Sequence, residues 1–90
     1  MPSRKQSQRV PSVKERFATN LTVARKRKFE TAKACADALG IGDERYRMWE
    51  RATNEPDIEH LARLASLLDV SLDFLILSDL PSLKTRGPGR

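Results

Sequence analysis

Asp43, Glu44, Arg45, Arg47 and Arg51 crowd into nine consecutive residues, and their chemistry is the first thing to explain. A guanidinium presents a fork of N–H donors suited to phosphate or to the edge of guanine. A carboxylate can accept from the amino group of cytosine but repels nearby phosphate. Asp43 and Glu44 could instead form a general acid and base. No histidine partner, Gly-rich loop or pocket-forming element accompanies them, so a place in the first turn of a helix explains them better. Cys35 and His60 are the chain's single cysteine and single histidine, which excludes an internal disulfide and a Cys/His zinc set. Cys35 reads as a small core residue and His60 as a surface residue. No catalytic group, metal or cofactor is expected.

These residues must be positioned by one small domain, because 90 residues allow little more. Apolar residues make up 39% of the chain and charged ones 32%, too apolar for a wholly disordered chain and too polar for a membrane span. The run Phe74-Leu75-Ile76-Leu77 falls far short of the about 20 apolar residues that cross a bilayer. No apolar segment follows the basic N-terminal residues, so no secretory leader is expected, and a reducing cytoplasm is.

The net charge of +5 is unevenly spread. Residues 1–11 and 81–90 carry only basic charge and read as disordered basic tails around a domain at 12–80. Within that domain the stretch to Asn54 is basic, and Glu55–Leu80 holds six acids against Arg63 alone. Such a bipolar domain suggests one face for a polyanion and another for a different partner. The run Arg25-Lys26-Arg27-Lys28 points around a helix and so does not form a single patch.

Hydrophobic spacing predicts five helices and no strand. Ser12 and Glu15 form a capping box ahead of a helix that carries Phe17, Leu21 and Ala24 to about Lys28. Thr31 caps a short second helix with Cys35, Ala36 and Leu39, stopped by Gly40. After Gly40-Ile41-Gly42 a third helix runs from Asp43 to about Arg51, with Tyr46 and Trp49 turned to the core. Asp57 caps a fourth whose stripe is Ile58, Leu61, Leu64, Ala65 and Leu68. Ser71 caps a last helix with Leu72, Leu75 and Ile76. Two short helices across a glycine-containing turn, at about 31–51, outline a helix-turn-helix.

Over residues 16–78 the sequence resembles the Cro/C1-type (XRE-like) helix-turn-helix repressor domains of phages and bacteria. The resemblance is carried by Leu21-x-x-Ala24-Arg25, Cys35-Ala36-x-x-Leu39-Gly40-Ile41 and Tyr46-x-x-Trp49-Glu50-Arg51. It continues through Pro56 and Leu61-x-x-Leu64-Ala65-x-x-Leu68-x-Val70-Ser71-Leu72-Asp73. It implies an all-α, five-helix, lambda-repressor-like domain whose third helix enters the major groove, as a homodimer on a two-fold operator. Asp43, Glu44, Arg45, Arg47, Met48, Arg51 and Asn54 are the DNA-contacting positions it implies. Arg25, matching the partner of Glu50, is structural, as are Tyr46 and Trp49.

The two family positions that often read bases, Asp43 and Glu44, are acidic here, and four further family features are replaced. Lys28-Phe29 lacks the usual glycine, Ala32 stands where a phosphate-touching glutamine is common, Gly42 replaces a Ser/Thr cap, and Ala52 replaces a glycine. The resulting expectation is a cytoplasmic, nucleoid-associated, bacterial or phage-encoded regulator that binds double-stranded DNA and does no chemistry. The rival is a protein-interaction module, such as an antitoxin, whose acidic half holds a basic partner.

Overall fold

The computed structural model describes residues 12–78; the two basic tails expected at 1–11 and 81–90 lie outside the described residues, as does the end of the domain expected at 80. Five helices follow in order: α1 (Val13–Lys28), α2 (Ala32–Leu39), α3 (Asp43–Glu50), α4 (Ile58–Leu68) and α5 (Leu72–Leu77). No strand occurs among the described residues. The fold is all-α with five helices, as the spacing predicts, in the lambda-repressor-like arrangement that the resemblance implies.

The helix starts are set by side chains. Ser12 accepts from the Glu15 amide while Glu15 accepts from the Ser12 amide, a closed capping box. Thr31, Asp57 and Ser71 each accept from the amide three residues on. α3 starts at Gly42 without a side-chain cap, and its first-turn carboxylates Asp43 and Glu44 compensate by meeting the positive end of the helix dipole.

Three helix ends share another device. α2, α3 and α4 each close on a left-handed residue, Gly40 (φ 84°), Ala52 (φ 60°) and Asp69 (φ 58°). In each, that residue's amide and the next one bond back to two carbonyls of the last turn. This is the Schellman arrangement, in which glycine is the usual left-handed residue. α1 ends differently. Lys28 is still helical and Phe29 turns directly into extended backbone (φ −132°), so the missing family glycine leaves no strain there.

α1 lies against α3, α4 and α5, and α2 against α3 and α4, around a core that includes Phe17, Leu21, Cys35, Tyr46, Trp49 and Leu64. Asn20 stands on the same stripe of α1, and its amide donates to the carbonyls of Phe74, Leu75 and Ser78 at 2.9–3.1 Å. It thereby satisfies the open end of α5, one turn of helix that could not hold itself. Two stripe residues depart from expectation. Ile58 is 83% exposed and Leu72 also stands out of the core. Each is the first residue of its helix, beyond the reach of the packed layer.

Arg25 and Glu50 form the polar centre of this packing. Arg25 Nε donates to Glu50 Oε2 at 2.9 Å and Nη2 to Oε1 at 3.1 Å, with side chains only 9% and 12% exposed. Tyr46 donates its hydroxyl to the same carboxylate at 2.6 Å, and Arg25 Nη1 reaches the carbonyls of Phe29 and Glu30. Burial pushes the Glu50 carboxyl up, yet hydrogen bonds from Arg25 and Tyr46 outweigh it and hold the pKa below the ordinary range. Burial, and then the bond to Glu50, push the Tyr46 phenol well up.

Truncating one partner strands a buried charge, so Glu50→Ala should cost ~3–5 kcal/mol. In a domain this size that is a drop of more than about 10 °C in melting temperature. The double variant Arg25→Met/Glu50→Leu should recover much of the loss. Because the carboxyl is more acidic folded than unfolded, its contribution is complete above its unfolded value near about 4.3 and vanishes as pH falls through the folded one. Melts of parent and Glu50→Ala should therefore converge between pH 6 and pH 3. Superimposable melts at pH 6 would remove the pair from this central role.

Candidate nucleic-acid interface

α3 is amphipathic by necessity. Tyr46 and Trp49 are buried at 0% and 1% exposure and meet edge to face, with ring centroids 5.8 Å apart. With that side fixed to the core, the opposite side carries Asp43, Glu44, Arg47 and Arg51 into solvent. These four are joined in two ion pairs. Arg47 Nη2 lies 3.2 Å from Asp43 Oδ2, one helical turn away. Arg51 Nη2 lies 3.3 Å from Glu44 Oε2, two turns away. All four side chains stay a third or more exposed, so these pairs orient the groups while adding little stability.

The other positions expected to contact DNA, Arg45, Met48 and Asn54, take no part in these two pairs. The Arg45 guanidinium sits over the Trp49 ring, 5.7 Å from its centroid, on the flank of α3. Met48 is half-buried, and its carbonyl receives the amides of Thr53 and Asn54. Asn54 turns its side-chain oxygen to the Glu55 amide at 2.9 Å, closing the loop after α3. The basic run at the end of α1 also divides: Arg25 is buried, Arg27 covers the Phe74 ring at 5.9 Å, and Lys28 donates to the Leu67 carbonyl. Lys26, Arg27 and Lys28 are exposed.

His60 is not the surface residue that its acidic surroundings suggest. Its side chain is 17% exposed, Nδ1 lies 2.7 Å from Asp57 Oδ1, and its ring is tilted against Trp49 at 5.8 Å. Position three after the helix cap folds the ring back over the helix start, where the indole covers it. The His60 amide and ring hold the Asp57 carboxyl below its ordinary pKa. Cys35 is fully buried, and burial raises its thiol. Among the described residues no group of acidic, histidine or cysteine side chains could hold a metal. No described helix is long and apolar enough to cross a membrane.

Asn20 is the structural residue that sequence reasoning missed. Its signal was present: an amide at i+3 from Phe17 and i−4 from Ala24, on a stripe otherwise apolar.

Two short helices at a fixed turn, the second anchored by a buried ion pair and showing charged side chains outward, define a helix-turn-helix protein. The chain belongs to that family: the family model described as helix-turn-helix matches residues 30–75. Over 60 residues, 67% of this chain and 52% of the relative, it is 42% identical to YqaE, an uncharacterized HTH-type transcriptional regulator of Bacillus subtilis. It is 37% identical over 60 residues to YonR, an SPbeta prophage-derived uncharacterized HTH-type transcriptional regulator of the same organism, covering 67% of this chain and 56% of the relative. With the HTH-type transcriptional regulator ImmR, also of Bacillus subtilis, identity is 36% over 64 residues, 71% of this chain and 50% of the relative. The chain thus spans about half the length of the curated relatives it matches. No solved structure gave a significant match.

The left-handed residue after the Arg51 cap of α3 yields a test of local strain. Ala52 holds the left-handed position that a glycine fills at no steric cost, and a Cβ there costs roughly 1–2 kcal/mol. Glycine returns ~0.5–1 kcal/mol of that through unfolded-chain entropy. Ala52→Gly should therefore raise the melting temperature by a few degrees; a lower one would mean that the Ala52 methyl contributes contacts that outweigh its strain.

Proposed function

We propose that this chain is a sequence-directed, double-stranded-DNA-binding transcriptional regulator that acts by occupancy, without chemistry and without cofactor. One observation carries the reading: α3 is locked by Arg25, Glu50, Tyr46 and Trp49 so that Asp43, Glu44, Arg47 and Arg51 stand on its outer face. In a helix-turn-helix the second helix lies in the major groove and its N-terminal residues meet base edges. Arg47 and Met48 lie over the groove in this reading, Glu44 beside them, while Arg51 at the far end meets the phosphate backbone. Asn54 and, on the flank, Arg45 are further backbone contacts. The relatives' names as transcriptional regulators support the same reading and do not favour the antitoxin alternative. A cytoplasmic, nucleoid-associated site of action follows from the function proposed.

The two kinds of contact separate in binding measurements. A lost phosphate contact weakens all sequences alike and lowers the salt slope by about one, whereas a lost base contact costs ~1–3 kcal/mol on the preferred site alone. Arg51→Ala should reduce specific and non-specific binding together, and Arg47→Ala should narrow the gap between them. Glu44→Gln should tighten non-specific binding, because a charge repelled by phosphate is removed. Titration of each variant on selected and scrambled duplexes at two salt concentrations checks this. Three variants indistinguishable from the parent would take α3 off the DNA.

The regulator acts as a homodimer in this proposal, the two copies meeting across an apolar groove of about 280 Å³. Val13, Phe17, Pro56, Leu61 and Ile76 line it, bringing in α5, and Ile58 stands exposed next to it in sequence. Lys14 and Glu55 also line it, 3.9 Å apart, and opposite charges on one patch complement themselves across a two-fold axis. Phe74 lies half-buried under Arg27, whereas Leu77 is 59% exposed. Sedimentation at tens of micromolar should find a dimer that Ile58→Asp splits; a monomeric parent, or a dimer indifferent to that change, would refute the interface.

A further inference from the structure

We propose that Asp43 and Arg47 together read a single G·C base pair: Arg47 donates to guanine N7 and O6, and Asp43 accepts from the N4 amino group of the paired cytosine. This rests on the DNA-binding reading and names the base that the helix selects. In the major groove a G·C pair presents two acceptors on guanine followed by one donor on cytosine. The outer face of α3 offers the complement, a donor fork with an acceptor beside it. The spacing agrees. Arg47 Nη2 and Asp43 Oδ2 are 3.2 Å apart, and guanine O6 and cytosine N4, hydrogen-bonded to each other, are about 2.9 Å apart.

The pair is also prepared before contact. Residues 43 and 47 are one turn apart on a rigid helix, so the carboxylate holds the guanidinium and limits the rotamer freedom lost on binding. One Nη2 contact leaves the rest of the fork for guanine. Both side chains are accessible, at 47% for Arg47 and 36% for Asp43. The two side chains together reject A·T at the same position, because thymine O4 would set an acceptor against the Asp43 carboxylate and adenine N6 a donor against the Arg47 guanidinium. The Glu44–Arg51 pair is less suited to this work. It spans two turns, and Arg51 follows the last residue of α3, at the end away from the helix start.

The experiment selects bound sequences from a random duplex library with the full chain, then measures affinity on the selected site and on two changes to it. A G·C pair should be selected in each half-site. Replacing its guanine by 7-deazaguanine, which removes only the N7 acceptor, should weaken the parent about fivefold to a hundredfold. Arg47→Ala should bind the natural and the 7-deaza duplex equally. Asp43→Asn, whose amide can donate to thymine O4, should lose part of the parent's discrimination against A·T at that pair, the remainder staying with Arg47. The base-analogue arm uses unaltered protein, so folding of a variant is not at issue. Selected sites with no such pair, or an Arg47→Ala variant still sensitive to 7-deazaguanine, would overturn this inference while leaving DNA binding intact. Failure to bind any duplex would overturn both.

Discussion

The Glu50 carboxylate is the point on which this small domain turns. It accepts two donors from Arg25 on α1 and one from Tyr46 a turn earlier on α3. Arg25 in turn holds the carbonyls of Phe29 and Glu30, so the same guanidinium fixes the connection that leads into α2. One buried charge pair therefore joins α1, the α1–α2 link and α3. A buried pair is a poor source of net stability, since desolvation consumes most of the attraction. What it supplies is geometry. Hydrophobic contacts at Trp49 and Leu64 could tolerate some rotation of α3, whereas a bidentate fork with both oxygens engaged tolerates much less.

That orientation matters because the outer face of α3 has no surplus positive charge to substitute for fit. From Asp43 to Arg51 three acids balance three arginines, and residues 12–78 as a whole are neutral. The chain's excess of +5 is supplied by the flanking residues outside that range. On the DNA-binding reading, long-range attraction to a polyanion and local recognition fall to different stretches of sequence. A face whose arginines are already matched by carboxylates gives little attraction to an arbitrary phosphate backbone. Its contribution to binding depends on donors and acceptors meeting their counterparts.

Much of this was legible in the sequence because local signals and tertiary needs agree. Ser12, Thr31, Asp57 and Ser71 cap the helices they announce, and Tyr46 and Trp49 fall on the buried side at helical spacing. The identity of the Arg25 partner came from resemblance, since no local rule links residues twenty-five apart. Other features depended on neighbours that spacing does not reveal. His60 looked exposed until Trp49 closed over it, and Ile58 looked buried although its stripe runs past the end of the core. Asn20 shows the same limit: a mid-helix amide is meaningful only once the end of α5 is known to lie across it. On α3, sequence supplied the charged residues, but the pairing of Asp43 with Arg47 and Glu44 with Arg51, and the turn of Arg45 onto the indole, required coordinates.

The three left-handed helix ends have an evolutionary consequence. Gly40 occupies its position without strain, whereas Ala52 and Asp69 do so with a side chain in a region that favours glycine. Natural domains tend to sit only a little above the stability they require. A domain with strain at identifiable, exchangeable sites has single-residue routes to greater stability that leave its outer surface untouched. Those routes give the lineage room to vary α3: a new contact residue that loosens the fold can persist if one of these helix ends relaxes first. Room to vary α3 is thus partly stored just beyond that helix, at the left-handed Ala52.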